Sequence, residues 1–230
     1  MLSRQPKEIN LKYILPLALL YITIYLAADS VCYKIVALGS IIEPGPPFIF
    51  PLSYAIGDII AEVYGYSLAR KIIWLTLVFQ LIYALMVTFV IKLPHPSFWT
   101  LQSAYNDVFG GILRFVIAGS VSVLASHFFN IYIFSKLKIL LQGKHFYLRF
   151  ITSSAIGGLV LVLIIILFGY AGRVDSKTAF NMFFSIYILE LLYACFTAWP
   201  AWMICGYLKI KEKLDVYDTS TNFNPFYLKK

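Results

Sequence analysis

The sequence predicts an all-α integral membrane protein with six transmembrane helices in one bundle. Three observations predict it. Of the 230 residues, 60% are hydrophobic and 13% charged, and the mean hydropathy is +0.80; a soluble domain is about half apolar and about a quarter charged. The apolar residues fall into six runs near the ~20 residues that a bilayer crossing needs. The basic residues lie between those runs. The formal charge of +8 therefore marks orientation and not a nucleic-acid face. No nucleic-acid partner is expected. The length suits one helical domain over 1–230, with no room for a soluble domain.

The expected spans are 11–38, 48–67, 71–93, 108–135, 149–171 and 179–208, with a tail over 209–230. The first is long enough to tilt or to extend past the interface. The second is the least apolar and follows Pro44, Pro46 and Pro47, so irregularity is expected there. Pro94 and Pro96 close the third. Ser153, Ser154, Gly157 and Gly158 give the fifth a small-residue face for close helix packing. No cleavable signal peptide is expected, because the first apolar run is too long for one. Asn222, Asn224 and Pro225 in the polar tail favour an ordered turn over a random linker.

With both termini inside, 14 Lys and Arg fall on the inner side, 4 on the outer, and Arg114 within a span. The positive-inside rule then favours six spans and cytoplasmic termini. Cys32, Cys195 and Cys205 show neither disulfide nor metal spacing and read as small apolar filler.

Few polar residues lie inside the spans, so each can be weighed. Asp58 and Glu62 are i and i+4 and share one helical face. An intramembrane carboxylate is costly unless it meets a polar interior, so the pair is the first site candidate. The bland alternative seats Glu62 at the interface, paired with Arg70 or Lys71. Asp29 and Lys34 bracket the outer half of the first span, although Lys34 could equally snorkel. Arg114 needs a partner, with Asp107 and Glu190 the candidates. His127 and Asn130, i and i+3, share a face; they serve either a ligand or an interhelical hydrogen bond. Glu190 is a further cavity candidate. Tyr54, Tyr64, Trp199 and Trp202 could stack on a planar ligand, or belong to core and belt. No metalloprotease, nucleophile-elbow or phosphate-loop motif is present. Any pumping is then ion-coupled or powered by another subunit.

The run Asp58-Ile59-Ile60-Ala61-Glu62-Val63-Tyr64-Gly65-Tyr66, followed by Ala69-Arg70, resembles the signature of the queuosine precursor transporters, also called vitamin uptake transporters. The ending Asp215-Val216-Tyr217-Asp218 with Thr221-Asn222-Phe223-Asn224-Pro225-Phe226 resembles that family's C-terminus. The resemblance covers essentially the whole chain. It implies a bacterial inner-membrane importer of 7-deazaguanines, chiefly 7-cyano-7-deazaguanine (preQ0), with preQ1 and queuine as relatives. It also implies a fold similar to the substrate-binding subunits of energy-coupling-factor transporters and no dedicated ATPase. No enzymatic activity, cofactor or metal is expected, because no catalytic constellation stands out among the residues.

Three departures stand out. Many members carry a Ser-Gln-x-x-Asp pattern in the fifth span, where this chain has Ser153-Ser154-Ala155-Ile156-Gly157. Asn130 stands where others have Asp, and Asp29 where others have Asn. The substrate-binding set expected from residues and resemblance together is Asp58, Glu62, Asn130, His127, Glu190, Arg114, Asp29, Tyr54 and Arg70. Asp58 or Glu62 would accept the N1–H and 2-amino donors of a guanine edge as a fork. Alternatives are a binding subunit served by a partner ATPase, a homo-oligomer and, least favoured, an intramembrane enzyme.

Overall fold

The computed structural model describes residues 11–38, 41–170 and 175–227. Their order is α1 (Ile14–Ser30), β1 (Ile35–Leu38), β2 (Ile41–Pro44), α2 (Pro51–Tyr64), α3 (Tyr66–Ile91), α4 (Gln102–Phe109), α5 (Ile112–Leu140), α6 (Phe146–Ile164) and α7 (Ser176–Glu212). Arg4, Lys7, Ala171, Arg173, Lys229 and Lys230, which entered the span and charge readings, lie outside the described residues.

Among the described residues, four helical segments are long and apolar enough to cross a membrane: Tyr66–Ile91, Gln102–Leu140, Phe146–Leu167 and Ser176–Glu212. α1 is apolar but has 17 residues. α2 has 14, about 21 Å at ~1.5 Å per residue, short of a ~30 Å hydrocarbon core. Its limits are set locally. Pro51 occupies its first turn, where no N–H is needed. Gly65, at φ 88°, breaks the chain between α2 and α3, a conformation that a side chain disfavours.

The first run was expected to stay helical to residue 38. Instead α1 ends at Ser30, and Ile35–Leu38 pairs antiparallel with Ile41–Pro44. The β-branched Ile35, Val36, Ile41 and Ile42 suit a strand. The third span begins at Tyr66 rather than residue 71, directly after the Gly65 break. α6 continues into a π-helical turn, Ile165–Tyr170. Asp175 caps α7, its Oδ2 accepting from the Lys177 and Thr178 amides at 3.0 and 3.1 Å.

α2 is the axis of the bundle. Of its residues only Leu52 is exposed and Ile56 half-buried, and it packs against α1, α3, α5 and α7. The outer faces are apolar. Phe180, Phe184, Ile188, Leu192 and Phe196 form an exposed stripe along α7 at i+4 spacing, and Leu75, Phe79, Ile82, Met86 and Phe89 form one along α3 at alternating i+4 and i+3 spacing. Charged and amide groups are meanwhile buried, among them Asp29, Asp58, Glu62, Asn130 and Arg149. Apolar outside and polar inside is the arrangement that a bilayer solvent selects. At one end, here the tail end, the Tyr13 amide meets Glu212 Oε1 at 2.8 Å. The β-hairpin marks the other.

Candidate functional site

The polar groups stand in three tiers along the bundle. At the hairpin end a cavity of about 500 Å³ lies between α1, α3, α5, α6 and α7, within the range of small-molecule sites. Tyr25, Phe50 and Phe115 supply aromatic wall, and Asp29, Gln80, Arg114 and Glu190 the principal polar groups. Gln80 Nε2 donates to Asp29 Oδ2 at 2.8 Å, and Gln80 Oε1 has no partner among the described residues. Glu190 is 6% exposed and its Oε2 has no partner among the described residues either. Its seat depends on Gly158, since a Cβ there would run into Oε2. Arg114 is exposed and makes no ion pair among the described residues, so neither Asp107 nor Glu190 partners it. Lys34 bonds its neighbour's carbonyl, Ile35 O, at 2.9 Å.

Below the cavity floor is a sealed tier. His127 is fully buried, stacked on Tyr54 at 4.2 Å between ring centroids and edged by Tyr21, Tyr25 and Phe50. Its Nδ1 lies 2.9 Å from Tyr21 Oη and its Nε2 3.3 Å from Ser53 Oγ. Both ring nitrogens are thereby engaged by the protein. Asn130 Nδ2 donates to Asp58 Oδ1 at 2.7 Å. Both residues are fully buried, and Gly157 gives them room, because a Cβ there would press on Asn130 Cβ. None of Tyr54, Asp58, His127 or Asn130 lines the cavity.

The third tier closes the tail end. Arg149 holds Glu62 in a fork, Nη1 to Oε2 at 2.7 Å and Nη2 to Oε1 at 3.2 Å. Lys209 Nζ lies 2.6 Å from Glu62 Oε1. Lys138 Nζ lies 3.8 Å from Glu62 Oε1 and 2.6 Å from Asp215 Oδ1. Burial alone would raise the Asp215 carboxyl, but the bonds from Lys138 and Lys209 outweigh it and hold it below its ordinary value. The tail then straps the surface. Lys138 donates to Val216 O at 2.7 Å, and Asp218 Oδ2 accepts the Tyr66 amide at 2.9 Å. Arg70 Nη1 donates to Asn222 O and Asn224 O at 2.6 and 2.7 Å. Trp74 Nε1 donates to Pro225 O at 2.9 Å.

The expected set therefore divides. Asp29, Arg114 and Glu190 come together in the cavity. Asp58, Asn130, His127 and Tyr54 lie sealed beneath it. Glu62 and Arg70 are placed elsewhere, in the ion cluster and on the tail, where protein groups already occupy them. Glu62 pairs with Arg149, Lys138 and Lys209 and not with Arg70 or Lys71. Trp199 and Trp202 are exposed on α7. Gln80 escaped the sequence reading, though an amide amid an apolar run was a usable signal. Lys138 and Arg149 were counted as orientation charges; only their partners reveal that they are buried.

A membrane-embedded helical bundle, with a polar-lined cavity at one end and an ion-paired seal at the other, defines a multi-pass membrane transporter. The family model described as "Putative vitamin uptake transporter" matches residues 44–204, and the chain belongs to that family. It is an inner-membrane importer of the queuosine-precursor type that the signature implied, and not an enzyme. No curated protein and no solved structure matches it.

Proposed function

We propose that the hairpin-end cavity is the binding site for a 7-deazaguanine, preQ0 or preQ1, on its way to the machinery that modifies tRNA. The observation that carries this is Glu190. A buried carboxylate oxygen without a partner, in a cavity of about 500 Å³, is an acceptor waiting for donors. The N1–H and 2-amino group of a guanine edge present two donors in parallel, and a carboxylate accepts such a pair as a fork. Excluding water strengthens the fork. Tyr25, Phe50 and Phe115 offer ring faces, where stacking on a base is worth roughly 1–3 kcal/mol. Arg114 at the mouth supplies a donor for O6.

Asp29 favours a second member of the same class. Gln80 binds one of its oxygens, so the other is available to the 7-substituent. A 7-aminomethyl cation, as in preQ1, suits a carboxylate better than a nitrile does.

Orientation follows the charge count. The hairpin end faces outward and the tail end the cytoplasm, with six crossings and both termini inside. The short α2, held between Pro51 and Gly65, completes its crossing through the turn before it. Such a bundle is similar in outline to an energy-coupling-factor binding subunit. The chain works as a secondary importer, by rocking that opens the tail end after the hairpin end closes.

The test is uptake of labelled preQ0 by cells that cannot make it. Cells expressing this chain accumulate label and regain queuosine in tRNA. A chain that reaches the membrane and restores neither would refute the substrate.

A further inference from the structure

Asp58 is left unused by the cavity. Its Oδ1 accepts from Asn130 at 2.7 Å. Its Oδ2 and Asn130 Oδ1 have no partner among the described residues. Ser153, next to it on α6, gives its hydrogen to Phe150 O at 3.1 Å. The titratable and charged groups around Asp58 are Tyr21 from α1, Tyr54 and Glu62 from α2, Arg149 from α6 and Cys205 from α7, with His127 of α5 stacked on Tyr54. Arg149 is the cation among them, and it is committed to Glu62 by two bonds.

An ionised Asp58 would thus be a fully buried charge, helped by one neutral amide and one helical turn from Glu62, which already carries the negative charge of the ion cluster. A neutral Asp58 leaves only uncharged polar atoms unsatisfied, which is far less costly than an unpaired buried charge. The cavity and the Asp58 tier adjoin across α6: Glu190 Oε2 faces Gly158, while Tyr54 Cε1 and Asn130 Cβ face the adjoining Gly157. The Tyr54 hydroxyl has no partner among the described residues. On the other side lies the Glu62 cluster, which must open for release to the tail end.

We propose that Asp58 is the proton carrier that couples transport to the proton gradient. It is held neutral against Asn130 while the tail end is closed. When that end opens and water reaches it, it gives the proton up. The step is a proton transfer in each direction: on loading, hydronium gives its proton to the Asp58 carboxylate and leaves water; on release, the carboxyl gives it to water, leaving carboxylate and hydronium. The coupling role rests on the importer reading above, whereas the protonated state of Asp58 does not.

The test uses two readouts on the full chain in liposomes. Infrared spectroscopy without substrate is expected to show a protonated-carboxyl C=O band at neutral pH that Asp58→Asn removes and Glu190→Gln keeps. Asn130→Ala, which retains the carboxyl, shifts the band and guards against a misfolded Asp58→Asn. In transport, wild type accumulates labelled preQ0 when the outside is acidified. Asp58→Asn exchanges preQ0 across the membrane at a rate within about twofold of wild type, yet accumulates none and loses its pH dependence. A band that survives Asp58→Asn overturns the proposal, as does undiminished pH-driven accumulation by that variant. If the band behaves as expected and wild type ignores preQ0, the proton site stands and the deazaguanine reading falls.

Discussion

At the scale of single residues, three carboxylates with the same intrinsic chemistry are separated by what surrounds them. Glu190 faces a cavity and lacks a donor. Asp58 has one amide, and Glu62 has three cations. Their substitutions should therefore fail differently. Glu190→Gln keeps the shape but puts an amide donor against the donors of the guanine edge. Hydrogen bonds to charged groups are worth about 1.5–3 kcal/mol, so preQ0 affinity should fall roughly tenfold to hundredfold by isothermal titration. Asp29→Asn should weaken preQ1 by about tenfold while leaving preQ0 within about threefold. Equal losses for both ligands would remove Asp29 from the 7-substituent. Glu62→Gln should act on stability first. It leaves Arg149, fully buried, without its counter-charge. Breaking such a pair costs about 3–5 kcal/mol, to be read as a lowered melting temperature without ligand.

At the scale of elements, the α2–α3 break and the tail form one device. Gly65 takes φ 88°, and a Cβ there would lie 2.7 Å from Val216 Cγ1. Gly65→Ala should therefore strain the break, by about 1–3 kcal/mol, and lift the tail, exposing Lys211 and Lys213 to faster trypsin cleavage. Unchanged cleavage would show that the strap is not held there. Asp215 gives the strap a pH dependence. Its folded carboxyl lies below the ordinary value, near 3.9. Its contribution is therefore present above that value and is lost as pH falls through the lowered one. The difference in melting temperature between wild type and Asp215→Asn should shrink on acidification below pH ~4. The hairpin runs the opposite way. Burial pushes the Glu43 carboxyl up to about 7. Its neutral form favours the fold, so its contribution is full below the ordinary range near 4.3 and is lost as pH rises through about 7. Glu43→Gln should abolish that trend.

At the scale of the whole molecule, the bundle and its inverted polarity were legible in the sequence because they rest on hydropathy and on the spacing of basic residues. The Asp58–Glu62 face was legible from i, i+4 spacing. That spacing put two carboxylates on one helix face but not at one function. They lie a turn apart along the bundle axis, and Arg149 arrives at one while Asn130 arrives at the other. Those partners come from α5 and α6 and leave no local trace in α2. The hairpin was hidden because Ile35–Leu38 is as apolar as the helix before it. The tail was half legible. Asn222 and Asn224 do form successive turns, their Oδ1 atoms each accepting the amide two residues on at 2.9 Å. Nothing local announced that Arg70 and Trp74 would grip their carbonyls.

The central claim is that a deazaguanine binds in the hairpin-end cavity through Glu190, with Asp58 outside the site. The melting temperature of the purified protein with and without preQ0 tests it most directly, because a ligand that binds only the folded state stabilises it by about 2.7 kcal/mol at a hundred times Kd. PreQ0 should stabilise wild type and Asp58→Asn alike, while at the same preQ0 concentration a tenfold to hundredfold loss of affinity should cut the stabilisation of Glu190→Gln to about 0.4–1.4 kcal/mol. Stabilisation that survives Glu190→Gln undiminished and vanishes in Asp58→Asn would contradict the claim.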